Sequence, residues 1–355
     1  MNNDRRVVIT GLGVITPVGN DLPTFWKSLT EGKSGIGRIQ TFDTSNYDCR
    51  IGGEVRDFEP KHFFKNPKDV RRTDRFAQLA MAAAKMSMQD SGIDLERVNR
   101  DRFGVLVSSG IGGLRTLEDQ HNILMNKGPS RVSPFCIPML ISNMASGVIS
   151  MEFGLRGPNM CIVTACATSN NSIGESWRMI KFGEADIFVA GGSEAAIVEL
   201  GLAGFSAMRA LSKRNDEPER ASRPFDRDRD GFVMSEGAGI AIVEELEHAK
   251  KRGAKIYCEL TGYGLSADAY HMTAPPEDGE GASRAMKLAL DHAKISPNDV
   301  DYINAHATST GLGDISETQA IKKVFGEQAK KVSISATKSM TGHVLGGAGA
   351  VEMAA

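Results

Sequence analysis

Cys166, His306 and His343 are the residues whose types and settings could do chemistry together. Cys166 closes the run Val163-Thr164-Ala165-Cys166, which reads as the end of a strand, and a helix-compatible segment follows it. A thiol at a helix N-terminus meets the positive end of the macrodipole and free N–H groups, and both favour its thiolate. The N–H of the same residue can face an oxyanion developing on a substrate carbonyl. Cys161, inside the preceding strand pattern, reads instead as a small buried hydrophobe, the usual state of a free cysteine. His306 lies in Asn304-Ala305-His306-Ala307-Thr308-Ser309-Thr310, at the C-terminal end of a strand pattern, where ligand and catalytic groups of α/β folds collect. His343 ends Lys338-Ser339-Met340-Thr341-Gly342-His343, and Gly346, Gly347 and Gly349 follow. Each glycine costs roughly 1 kcal/mol against alanine inside a helix. Close packing on another helix, the one carrying Cys166, would offset that cost. A single histidine is more often structural than catalytic. One cysteine and two histidines, each at a strand end beside glycines, shift the balance to catalysis.

These side chains need strands and helices to bring them together. Short apolar runs bounded by Gly or Asp predict buried strands at Val7–Thr10, Gly104–Val107, Met160–Ala165, Ile187–Ala190, Gly239–Val243, Val300–Asn304 and Val332–Ser335. Phe76, Leu79, Ala80, Ala83 and Met86 recur at helical spacing, as do Ile173, Trp177 and Ile180 before the stop signal Gly183. Strand, helix and strand from Met160 to Ala190 form a βαβ pattern, which implies a mostly parallel sheet covered by helices. Phe76–Gly113 and Ala282–Gly313 share a helix, a turn and a strand, and Val163–Cys166 resembles Ile334–Thr337. The echo fits a duplicated α/β unit whose halves meet near Lys250–Lys255, dividing the chain into 1–252 and 253–355.

Composition narrows the function class. The 355 residues are 41% hydrophobic and 24% charged, an ordinary globular balance. A net charge of −2 excludes a globally basic nucleic-acid binder. Five cysteines, an odd number without C-x-x-C spacing, argue against a disulfide scaffold or a cysteine zinc site and fit a reducing cytoplasm. The polar stretch Met1–Arg6 has no signal-peptide character, and no apolar run reaches the roughly 18 residues of a membrane span. Asp226-x-Asp228-x-Asp230-Gly231 starts like a calcium loop, but Gly237 stands where the closing acid belongs, so it reads as a loop of Asp/Arg pairs. Gly11-Leu12-Gly13 starts like a dinucleotide fingerprint, but Thr16 replaces the third glycine, which removes a nucleotide-dependent oxidoreductase. Basic residues concentrate at Lys61, Lys65, Lys68, Arg71, Arg72 and Arg75, with Arg131, Arg209, Lys213 and Arg214 as further contributors. Only Phe63 and Phe64 could stack on bases there, too few for a nucleic-acid surface.

Val163–Ser169, Asn304–Thr310 and Ala336–His343 resemble, in order and separation, the three active-site motifs of the β-ketoacyl-acyl-carrier-protein synthases. Ser222-Arg223-Pro224-Phe225-Asp226 through Glu236-Gly237-Ala238-Gly239 resembles a further signature of that family. The likeness spans the whole chain and is strongest to the synthase II group of bacterial fatty-acid synthesis. It implies a thiolase-like fold, a duplicated α/β unit layered α-β-α-β-α. It implies that Cys166 carries the acyl chain, that His306 and His343 assist decarboxylation of malonyl-carrier protein, and that Lys338 supplies positive charge near His306. By the same resemblance Thr308, Thr310, Thr273 and Ile111 bind substrate, Ile111 at the floor of the acyl pocket. Lys68, Arg71, Arg72 and Arg209 dock an acidic acyl-carrier protein, and Asn304 and Glu352 lie at a monovalent-cation site. No cofactor is required, because substrates arrive on phosphopantetheine, and a cytoplasmic homodimer without nucleic-acid or membrane partners is expected. A polyketide or other specialised ketosynthase is the alternative pathway. Non-catalytic chain-length subunits lack the nucleophile that Cys166 provides, and thiolases carry a second late cysteine in place of the paired histidines. Family members run several dozen residues past the point matching Ala355, through a Gly-Phe-Gly-Gly-type loop, closing strands and further cation ligands. The expectation is a fragment of a longer protein, or a form that is inactive and poorly stable.

Overall fold

The structure is a computed structural model that describes residues 5–355, so Met1–Asp4 of the polar N-terminal stretch lie outside the described residues. Its strands are β1 Val7–Ile15, β2 Gly37–Arg38, β3 Ile51–Gly52, β4 Phe103–Ser108, β5 Ile187–Glu194, β6 Gly237–Glu245, β7 Cys258–Glu259, β8 Tyr302–Asn304 and β9 Ser333–Ser335. Its helices are α1 Leu22–Thr30, α2 Arg75–Ser91, α3 Leu114–Lys127, α4 Cys136–Leu140, α5 Met144–Phe153 and α6 Thr168–Lys181, followed by α7 Glu199–Ala207, α8 Leu246–Lys251, α9 Glu280–Ala293, α10 Gly311–Phe325, α11 Lys338–Thr341 and α12 Ala348–Met353. The main sheet runs β4-β5-β6-β1-β7, and β8 and β9 form a parallel pair. β2 and β3 make a small separate ribbon.

Two sequence expectations fail here. The sheet is mixed rather than mostly parallel: β4–β5 is parallel, while β5–β6, β6–β1 and β1–β7 are antiparallel. The stretch Met160–Ala165 is not a strand, so the βαβ pattern lacks its first member. It runs beside β4, bridging at Asn159 to Val105, but Ile162 N–H turns to the Ser108 hydroxyl rather than to a main-chain carbonyl. Apolar pattern alone cannot reveal that a run lacks a full ladder partner. The α6 reading holds, and Gly183 stops it with φ +78°.

β1, β5 and β6 are buried along their whole lengths. Phe76 and Leu79 of α2 and Ile149 of α5 cover one face, against Val105, Val189 and Ile240. Ile173, Trp177 and Ile180 of α6 and Ala350 of α12 cover the other, against Leu106, Phe188 and Val243. Asn304 at the end of β8 then reaches the Glu352 carbonyl of α12, and α9 packs on α10 beyond. This is the α-β-α-β-α order of a thiolase-like fold, and helix, turn and strand recur as α2–β4 and α9–β8.

Gly11 and Gly13, the false nucleotide motif, have a packing role. A Cβ on Gly13 would lie 2.0 Å from the Ala83 carbonyl oxygen, and one on Gly11 would lie 2.3 Å from that of Ser87. β1 therefore rests directly on the α2 backbone. The late glycines act in the same way around α12. A Cβ on Gly349 would meet Asn170 Oδ1 of α6 at 2.2 Å, and one on Gly239 would meet the Ala350 carbonyl carbon at 2.4 Å. The segment after His343 is thereby pressed onto the helix that follows Cys166.

Candidate active site

Cys166 sits in the single turn Ala165–Ala167 that leads into α6. Ala165 before it has φ +50°, a left-handed conformation that costs a non-glycine residue of order 1 kcal/mol or more and turns the chain sharply. The thiol is half-buried at that corner. Cys161 is half-buried as well, rather than sealed in a strand.

His306 and His343 converge on this thiol from the second half of the chain. His343 Nε2 lies 3.0 Å from Cys166 Sγ. The two imidazoles meet edge to face, 5.3 Å between centroids, and a nitrogen from each and Sγ all lie within 4.8 Å of one another. Phe232 packs edge-on against His343 from the other side. His343 Nδ1 is buried and has no partner among the described residues. No neighbour therefore fixes the ring's tautomer, and Nε2 is free to accept a proton from the thiol or to donate one to a bound oxygen.

The turn carrying His306 holds two left-handed non-glycine residues, Ala307 and Ser309. A carboxylate that the sequence reading missed stabilises it: Glu317 of α10 accepts the N–H groups of His306 at 2.7 Å and Ala307 at 2.6 Å. Asp314 accepts from Ser309 N–H, and Arg223 N–H donates to the Ser309 hydroxyl. Arg229, paired with Asp314, donates to the Thr310 carbonyl. The Asp/Arg loop thus clamps the histidine turn, as its arginine pairing suggests. Thr308 and Thr310 lie in that turn with their hydroxyls 3.0 Å apart. Thr273 lies in an exposed loop where its N–H meets His271 Nδ1, and no hydrogen bond among the described residues ties it to the cluster. Ile111 is 36% exposed, so it is not sealed core.

Lys338 is 1% exposed and forms an ion pair with Glu352. Burial first, and then the Lys338 charge, hold His343 well below its ordinary range. The same two causes, burial first, lower His306 to about 3. Burial pushes the Cys166 thiol up, Lys338 opposes this, and Glu194 and Glu352 add to it. The helix-terminus influence that favours a thiolate is outweighed here by desolvation. The cluster is a neutral thiol and two neutral imidazoles beside a buried ammonium. A chelated metal ion would be repelled by that ammonium, whereas a nucleophile with two N–H donors is suited to a developing oxyanion.

Among the docking candidates, Lys68, Arg71 and Arg72 are exposed on the short helical segment Pro67–Arg72, and Arg209 is exposed as well. Arg75 does not belong with them. It points inward and pairs with Glu236 at 2.6 Å. Lys213 and Arg214 are engaged by Asp48 and Glu217.

The chain belongs to the beta-ketoacyl synthase family: that family's N-terminal domain matches residues 4–249 and its C-terminal domain matches 257–355. It is 53% identical over 351 residues to a 3-oxoacyl-[acyl-carrier-protein] synthase 2 of Synechocystis, covering 99% of this chain and 84% of the relative. It is also 53% identical over 348 residues to the protein of that name in Coxiella burnetii, covering 98% and 84%. A chain in the solved complex of a type II PKS acyl-carrier protein with its ketosynthase bound to the hexaketide is 36% identical, with TM-score 0.90, covering 99% and 85%.

The buried imidazole has a consequence for stability. Below about pH 6.5 the unfolded chain binds a proton that folded His343 refuses, so stability falls as pH drops, by about 1.4 kcal/mol per pH unit for one such group. Glu317 and Glu352, raised by burial, act with the opposite sign, so a variant must isolate the imidazole. His343→Gln is expected to show a flatter loss of stability between pH 6.5 and 5 than the parent, read by urea unfolding. Equal slopes would mean that His343 is not held neutral.

Proposed function

We propose that this acyltransferase performs the decarboxylating Claisen condensation of an acyl group on Cys166 with malonyl-acyl-carrier protein, giving 3-oxoacyl-acyl-carrier protein in fatty-acid elongation. The convergence of Cys166 Sγ with the imidazoles of His306 and His343 carries this reading. The thiol attacks the carrier thioester, its proton passes through His343 Nε2 to the departing pantetheine sulfur, and the acyl–S bond to Cys166 forms. Malonyl-carrier protein then loses CO₂, and the bond electrons move into an enolate whose oxygen accepts N–H bonds from the two imidazoles. The enolate carbon attacks the acyl carbonyl, the C–S bond to Cys166 breaks, and the released sulfur takes from solvent the one proton that the overall condensation consumes. The names of the bacterial relatives support fatty-acid elongation over a specialised polyketide pathway. Every step is ionic, so no redox cofactor is needed. Asn304 Oδ1, buried without a partner beside the Glu352 carbonyl, fits an oxygen ligand of a monovalent cation, which would add positive charge next to Glu352.

His306→Ala should still acylate Cys166 while CO₂ release from malonyl-carrier protein falls about 10²–10³-fold, the usual cost of a lost oxyanion donor, and His343→Ala should show the same fall in CO₂ release together with slower acylation. Cys166→Ser should abolish labelling by an acyl-carrier substrate. Labelling at another cysteine, or unchanged CO₂ release in the histidine variants, would overturn the assignment.

An acyl-carrier protein is the macromolecular partner, docked on Lys68, Arg71, Arg72 and Arg209. A protein of slightly negative net charge needs a local positive patch to steer an acidic partner. Reversing Arg71 and Arg72 to Glu should raise KM for carrier-linked substrate and spare turnover of a small thioester. Equal loss on both substrates would assign the patch to folding.

A second copy of the chain covers the apolar residues concentrated between Ile111 and Val163, where Met125, Ile137, Met151 and Met160 are exposed. Large exposed apolar patches mark association surfaces. Sedimentation at micromolar concentration should give a dimer, and Ile137→Glu should weaken it. A monomer across that range would remove the reading.

A further inference from the structure

Glu194 is a fully buried carboxylate at the end of β5 that the condensation above does not use. Its Oε1 accepts the Ser109 hydroxyl at 2.6 Å and Ile111 N–H at 3.2 Å, and its Oε2 accepts Gly110 N–H at 3.0 Å and Gly346 N–H at 3.1 Å. Ser109 Oγ already accepts Gly112 N–H at 2.9 Å, so its own proton points at the carboxylate. Four donors therefore face four acceptor positions, and a protonated carboxyl would forfeit one of them. Burial pushes Glu194 up while these donors oppose it, and the donor set favours the ionised form. The space is cleared for it. A Cβ on Gly346 would lie 2.5 Å from Gly110 N and 2.8 Å from Glu194 Oε2, and a Cβ on Gly110 would lie 2.8 Å from the same oxygen.

Glu194 joins two segments that approach Cys166 from opposite parts of the chain. Ser109–Ile111 lies beside the Cys166 corner, where a Cβ on Gly110 would meet the Ala165 carbonyl oxygen at 3.6 Å. Gly346 lies three residues after His343, whose own main chain is tied to Val233 and Ser235. We propose that Glu194 is a positioning residue of the condensing site, its carboxylate locking the Ser109–Ile111 turn to the His343 loop so that both walls keep one geometry around Cys166. The locking makes acylation and decarboxylation depend on the same group. It also places a negative charge among the groups facing Cys166, which are Lys338, Glu352 and the imidazoles of His306 and His343.

The inference rests on Cys166 as the acylated residue, and one experiment separates the two. Alkylation of parent, Glu194→Gln and Ser109→Ala is followed against pH with the adduct mapped, beside kcat and KM for condensation and a thermal unfolding scan. Glu194→Gln loses the charge and sets an amide NH₂ against N–H donors. Its alkylation midpoint should move to lower pH, and kcat should fall about tenfold to a hundredfold, the scale of lost hydrogen bonds to a charged group, with KM for the carrier substrate nearly unchanged. Ser109→Ala keeps the charge with one donor fewer, so its midpoint should move to higher pH with a smaller fall in kcat. Glu194→Asp should keep the parent midpoint while its shorter reach leaves kcat low. An adduct away from Cys166 defeats the nucleophile assignment. An adduct on Cys166 with unshifted midpoints, or activity loss that merely follows the folded fraction, defeats the role of Glu194 alone. If Glu194→Gln does not fold, Ser109→Ala decides by the same readouts.

Discussion

The site depends on one close contact, the seating of α12 and the loop before it onto α6. Side chains on Gly349 or Gly239 would collide with Asn170 or with the α12 backbone at under 2.5 Å. Only with those positions bare can His343 come within 3.0 Å of a thiol 177 residues earlier in the chain. Glycine weakens a helix through backbone entropy, and here the approach of two helices offsets that cost. The imidazole, the thiol and the carboxylate of Glu194 all inherit their distances from this seating.

Charge is arranged around the contact with little help from solvent. Lys338 is shielded and paired with Glu352, while Glu317 and Glu194 spend their oxygens on main-chain N–H groups. The carboxylates brace loops, and burial, seconded by the ammonium, keeps the nearby imidazoles neutral. A neutral imidazole can both take and give a proton, which an imidazolium cannot do. The same burial raises the thiol, so in the proposed reaction its activation comes from the neighbouring Nε2 rather than from a pre-ionised sulfur.

Cys166, His306, His343 and Lys338 were legible in the sequence because each stands in a short contiguous run beside glycines or hydroxyls. The thiolase-like layering came with the family resemblance that these motifs carry, and the recurrence of helix, turn and strand pointed only to a duplicated α/β unit. Glu194 and Glu317 were not legible. Each acts on backbone N–H groups far away in the chain or across a turn, and no local pattern marks such a reach. For Glu194 the one available signal was an acid closing an otherwise apolar strand, Ile187–Glu194. Arg75 was misplaced on the surface because a run of basic residues hides which one points inward. The strand expected at Met160–Ala165 and the parallel sheet both failed because periodicity reports burial, not the identity or direction of a neighbour.

The order of strands has a consequence for how the chain is made. β6 lies between β5 and β1, with Glu245 opposite Val7. On a ribosome, β1 emerges first and its neighbour in the middle of the sheet arrives some two hundred residues later. At about 5–20 residues per second, that wait lasts on the order of ten to fifty seconds. α2 is made early and can shelter one face of β1 through Gly11 and Gly13, but the slot for β6 stays open throughout. The nascent chain therefore carries an unfilled gap at the centre of its main sheet, where another extended segment could pair wrongly. Filling that gap joins β1 to β5, the strand against which the helix following Cys166 packs.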